Sequence, residues 1–130
     1  MGLFGMLAAA CGRRRAEDVP AVDSELKSMV QALPHRTGGG LSFSSGGNAG
    51  RRIYGVVRFD SAEPDAVEAG MREALKGAAA VAQKHDLGDG LNVDIVASGP
   101  DAQGEITPSD VITTAIPKVA TVAEIRDQLG

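Results

Sequence analysis

Apolar residues recur along this chain with two different periods, and the changes of period mark out its elements. Leu26, Met29, Val30 and Leu33 fall at i, i+3, i+4 and i+7. That is the spacing of one stripe on a helix, and it predicts a helix over Ser24–Leu33. Asp23 or Ser24 stands where a side-chain oxygen caps such a helix. Pro34 stops it, because the residue before a proline is driven out of helical dihedrals. Thr37–Gly40 reads as a flexible joint. Period two then takes over. Leu41 and Phe43 share a face across Leu41–Ser45. Ile53, Gly55, Val57 and Phe59 share one across Arg51–Asp60, opposite Tyr54, Val56 and Arg58. With the glycine-rich turn Gly46–Gly50 between them, the two runs predict an antiparallel hairpin with a long loop.

The period lengthens again at Val67, Met71, Ala74, Ala78 and Val81, a narrow helical stripe of mostly small residues that lets the helix approach a sheet closely. Asp60-Ser61-Ala62-Glu63 forms its cap region, Pro64 suits its first turn, and Gly88 is the expected C-terminal cap. Glu68 and Arg72 make an i,i+4 pair worth roughly 0.2–0.5 kcal/mol. Leu91–Ser98 alternates as a strand, with Leu91, Val93, Ile95 and Ala97 inward and Asn92, Asp94 and Ser98 outward. Gly99–Gly104 is a loop. Val111–Ile116 is β-branched like a strand, whereas Thr107-Pro108-Ser109-Asp110 ahead of it resembles a helix start. Both types stay open there. Thr121 and Glu124 form a T-x-x-E capping box for a last helix carrying Val122, Ile125 and Leu129 on one face.

These elements define an α+β fold, a small mixed β-sheet of three or four strands with helices packed on one face. The order is α-β-β-α-β-(β)-α. A single domain over residues 23–130 follows an apolar leader and charged linker over 1–22. Arg51–Asp60 and Leu91–Ser98 are joined through a helix, which calls for parallel pairing with a right-handed crossover. Phe43, Val57, Phe59, Val93 and Ile95 would then lie beneath the helices. A chain of 130 residues buries roughly two-thirds of its unfolded surface and needs no disulfide or metal staple. The αββαβ order from Ser24-Glu25-Leu26 to residue 98, with its hairpin ahead of the long helix and Gly55 within the second strand, resembles the BON domain. It also resembles small lipoproteins of high-GC bacteria. The resemblance implies binding to lipid or envelope surfaces without catalysis.

The N-terminal leader carries a pattern of its own. Met1–Ala10 carries no charge, and Cys11 follows it directly. Eleven helical residues span about 16 Å, short of a bilayer core of roughly 30 Å, so this is no transmembrane helix. The length suits the apolar core of an export signal. Ala8, Ala9 and Ala10 before Cys11 resemble the lipobox of bacterial lipoproteins, which implies Cys11 as the lipid-attachment residue and an outward-facing, membrane-anchored place in the cell envelope. Leu7 lies four residues before the cysteine where the family's leucine lies three, and no basic residue precedes the apolar run. Arg13, Arg14 and Arg15 follow it, where positive charge opposes translocation. A small cytoplasmic interaction or regulatory protein, with the leader as part of an interface, is the alternative.

Charge and chemistry narrow the function classes. The chain carries 13 basic and 17 acidic residues, a net −4, and beyond residue 15 the balance is −7. Arg13–Arg15 can rest on anionic lipid or an envelope component while the acidic body is held off it, or be solvated in a linker. With four aromatic residues and an acidic body, nucleic acid is disfavoured. His35 and His85 are the two histidines, without metal-ligand spacing, and a zinc site would need both of them, Cys11 and a carboxylate to converge from distant segments. A small enzyme using His35 or His85 is a third possibility. No Gly-x-Ser-x-Gly elbow occurs. Gly46–Gly50 with Arg51 and Arg52 reads as a hairpin loop ahead of an anion cradle, and Asp60, Glu63 and Asp65 as capping residues ahead of a calcium site. The expectation is therefore a non-catalytic binding module without metal or cofactor, open to homo-oligomers. Its candidate surface comprises Tyr54, Arg58, Arg51 and Arg52, on the open sheet face or an edge strand.

Overall fold

The computed structural model describes residues 18–46 and 50–130, and the leader and residues 47–49 lie outside that range. Helix α1 spans Val19–Gln31, strands β1 and β2 Arg36–Ser45 and Arg51–Phe59, and helix α2 Pro64–Lys84. Strand β3 covers Asn92–Ser98, strand β4 Ala120–Thr121, and helix α3 Val122–Leu129. The sheet order is β1-β2-β3-β4. β1 and β2 are antiparallel, β2 and β3 parallel, and β3 and β4 antiparallel. This is the expected α+β fold, a four-stranded mixed sheet with its helices on one face.

Helix α1 begins five residues ahead of Ser24. Asp18 is its N-cap and accepts from the Ala21 N–H at 3.2 Å, and Pro20 occupies the first turn, where its missing N–H costs nothing. Val22, expected in the linker, is fully buried beside Leu26 and Val30. Asp23 is thereby freed from capping. Its carboxylate crosses to β1 and accepts the Phe43 N–H at 2.7 Å.

Thr37–Gly40 is strand, not joint. Residues from Gly38 to Ser45 pair with Arg58 to Arg51 in unbroken register, after a bulge between Arg36 and Gly38. Gly39 (φ +84°) and Gly55 (φ +149°) make this pairing possible. A Cβ on Gly39 would lie 2.1 Å from the Val56 carbonyl oxygen, and one on Gly55 2.2 Å from that of Gly40. Only hydrogen fits between the two backbones there.

Helix α2 buries a broader face than its predicted stripe. Leu75, Ala79 and Ala82 are buried along with Val67, Met71, Ala74, Ala78 and Val81, because α1 and α3 flank it on either side. Its expected cap at Gly88 is displaced. Asp86 takes the left-handed position (φ +54°), its N–H donates to Gln83 O at 3.1 Å, and the Leu87 N–H donates to Ala82 O at 2.9 Å. These two bonds close the helix, and the short polar side chain of aspartate tolerates that backbone.

Val111–Ile116 is neither strand nor helix. A 3-10 turn over Pro108–Asp110 precedes irregular chain, and the fourth strand is the two-residue β4 further on. Thr121 and Glu124 do form the capping box of α3, with Glu124 N–H donating to Thr121 Oγ1 at 3.2 Å and Thr121 N–H to Glu124 Oε1 at 2.9 Å. Ser98, expected outward, is fully buried where the turn Pro100–Ala102 comes back beside β2.

Candidate functional site

Alternation along β2 and β3 divides the sheet into two unlike faces. Ile53, Val57, Phe59, Val93, Ile95 and Ala97 point at the helices and are buried. The opposite face carries Arg52, Tyr54, Val56 and Arg58 from β2, beside Asn92, Asp94 and Val96 from β3. Ser42 and Ser44 extend it over β1. Tyr54 is 37% exposed, and Val56 and Val96 are half-buried on a face that no helix covers among the described residues.

The predicted residues divide between these faces. Arg52, Tyr54 and Arg58 share the bare face by period two. The Arg52 guanidinium lies 4.7 Å from the Tyr54 ring centroid, and its Nη1 donates to Asp94 Oδ2 at 3.1 Å. Ring and carboxylate hold that cation in one place. Arg58 is exposed and forms no ion pair among the described residues, since its register partners are Gly38 and Ser98. Arg51 is not brought to this face. Its Nη2 donates to the Leu87 carbonyl at 2.8 Å, fastening the hairpin to the end of α2. Cys11 and Arg13–Arg15 lie outside the described residues.

The histidines occupy separate places. His35 Nδ1 lies 3.3 Å from Asp60 Oδ2, both side chains more than half exposed, a pair of the kind that contributes little. They rim an apolar groove of about 380 Å³ lined also by Pro34, Phe59, Ala66 and Glu73. Among the described residues its lining includes no serine, threonine or cysteine to act as a nucleophile. His85 Nε2 meets Glu25 Oε2 at 2.6 Å, and Glu25 Oε1 meets Lys84 Nζ at 3.0 Å. This triad fastens α1 to the end of α2. Hydrogen bonds from Lys84 first and His85 second hold the Glu25 carboxyl below its ordinary range. Among the described residues no group of three His, Cys, Asp or Glu side chains is placed to hold a metal ion. Asp60, Glu63 and Asp65 surround the start of α2, where the Ser61 hydroxyl accepts the Glu63 N–H at 3.1 Å.

A second groove, of about 500 Å³, runs between α1 and the outer edge of β1. Asp23, Lys27 and Gln31 line it from the helix, and Arg36, Leu41 and Ser42 from the strand. Asp23 and Lys27 lie four apart, as do Lys27 and Gln31, a polar stripe that the apolar pattern of α1 does not reveal. No family model, no curated protein and no solved structure matches this chain.

Proposed function

We propose that this chain is a non-catalytic, envelope-associated binding module, lipid-anchored through Cys11, whose working surface is the helix-free face of the sheet. The observation that carries the reading is that face itself. Tyr54, the braced Arg52, half-buried Val56 and Val96, and exposed Arg58 make a surface of mixed polarity. Tyrosine and arginine are the side chains that protein interfaces favour, combining broad apolar contact with directed hydrogen bonds. A protein component of the envelope is therefore the partner this surface suits. The partial lipobox Ala8-Ala9-Ala10-Cys11 supports the anchor, and the BON-like element order is in keeping with it.

Two measurements in the native host test the reading. A photo-crosslinking residue at Tyr54 or Arg58 should give a discrete adduct, and the same residue at exposed Gln83 on α2 should not. Equal adducts from all three positions, or none, would count against the working face. Metabolic labelling with a palmitate analogue should mark the wild type and not Cys11→Ser. An unlabelled wild type removes the anchor and leaves the cytoplasmic interaction module.

A further inference from the structure

We propose that the groove between α1 and the edge of β1 takes an extended, acidic peptide segment as an added strand. The inference concerns a different surface from the bare face and does not rest on the function proposed above. It begins with β1 itself, ten residues long with a bulge between Arg36 and Gly38, at an edge of the sheet that no described strand covers and without a proline or lysine to blunt it. In an antiparallel ladder, backbone groups alternate between facing the partner strand and facing away. The Phe43 N–H faces away, since it is spent on Asp23. Two residues back, the N–H and C=O of Leu41 face the same way, and no described residue outside the ladder accepts or donates there.

The helix wall of the groove is long enough for a short strand, and Asp23 closes one end of it through its bond to the Phe43 N–H. Asp23 to Gln31 spans about 12 Å of helix, the length of roughly four extended residues. Its charge is complementary to acid. Lys27 and Arg36 face it from opposite walls, and neither forms an ion pair among the described residues. The Nε of Arg36 is buried and has no hydrogen-bond partner. A buried donor left unmet is costly, and a carboxylate delivered by an incoming strand would meet it. Asp23, the one carboxylate in the groove, is already engaged by Phe43. A second copy of β1 fits less well, because its sequence RTGGGLSFSS holds an arginine and no acid and would bring cation against cation.

The test uses the full chain and two terminally blocked, fluorescein-labelled peptides, Thr-Val-Glu-Val-Glu-Val-Thr and its counterpart with lysine for glutamate. By fluorescence anisotropy the acidic peptide should bind at least tenfold tighter than the basic one. Arg36→Glu should weaken it by about tenfold or more, as loss of a charge-assisted hydrogen bond requires. Lys27→Glu, on the exposed helix surface, should weaken it also and serves if Arg36→Glu fails to fold. Hydrogen exchange at the Leu41 amide should slow on binding. No binding at millimolar peptide, equal binding of both peptides, or an unchanged Leu41 amide would overturn the proposal. So would a dimer in sedimentation whose Leu41 amide is protected in the absence of peptide. Each of these outcomes leaves crosslinking at Tyr54 as it was, so the two surfaces fail or stand separately.

Discussion

The two edges of the sheet are finished in opposite ways. At one, β4 pairs through two residues only, and other chain takes up part of the remaining edge of β3. Ile106 bonds Ala97 in both directions, at 2.8 and 3.1 Å, and the Val122 N–H donates to Leu91 O. At the other, β1 runs for ten residues with one edge bond to a side chain among the described residues, that of Asp23, and a groove alongside. Open edges invite strand addition, and proteins ordinarily blunt them. A chain that closes one edge with α3 and irregular loops, yet leaves the other long and glycine-lined, concentrates its capacity for intermolecular backbone pairing in one place. The same division runs through the faces, with helices on one and Tyr54, Arg52 and Arg58 on the other.

Breaking the closed edge should have the largest effect. Ile125 is 1% exposed and anchors α3, so Ile125→Ala should cost about 2–5 kcal/mol in urea unfolding, through lost burial and the cavity left behind. The corresponding test at the open edge is Gly39→Ala. The new methyl meets a backbone carbonyl in a left-handed conformation, and the expected loss is about 3 kcal/mol. Thr121→Ala removes the side-chain half of the α3 capping box and should cost about 1 kcal/mol.

A gain of similar size sharpens the picture at the turn leading from β3 to Ile106. Asp101 (φ +56°) and Ala102 (φ +60°) are both left-handed there, and Gln103 N–H donates to Pro100 O at 3.1 Å. Alanine pays for that backbone with its Cβ, so Ala102→Gly should stabilise the fold by about 1 kcal/mol.

The smallest effect concerns α1, the wall of the open groove. Glu25 is held below its ordinary range by Lys84 and His85, so the folded chain binds this proton less readily than the unfolded one. The stability it contributes is present above the unfolded carboxyl's range and is lost as pH falls through the lowered folded value. Glu25→Gln should therefore lower the urea midpoint at neutral pH, and the difference from wild type should close on acidification.

Much of this architecture was legible in the residue pattern, and the parts that were not share a cause. The stripe Leu26–Val30, the alternation in β2 and β3, and the Thr121–Glu124 box announce themselves through side chains, and the helices and central strands follow from them. Gly38–Gly40 carry no side chains to alternate, so the first half of β1 becomes visible only against β2. Asp86 closes α2 in place of the expected Gly88 because aspartate also tolerates the left-handed region. β4 is too short for any period. At the sites, Tyr54, Arg52 and Arg58 could be placed on one face by period two, whereas Arg51 departs from them by the same rule. Lys27 and Arg36 meet across a groove only because α1 and β1 lie side by side, which no local pattern encodes.

Residue-resolved hydrogen exchange on the free chain tests the contrast between the edges most directly. The Leu41 amide should exchange orders of magnitude faster than those of Ser42 and Ser44, which face β2, and faster than that of Ala97 at the closed edge. A Leu41 amide as protected as its neighbours would mean that this edge is already covered, and the account of an open docking strand would be wrong.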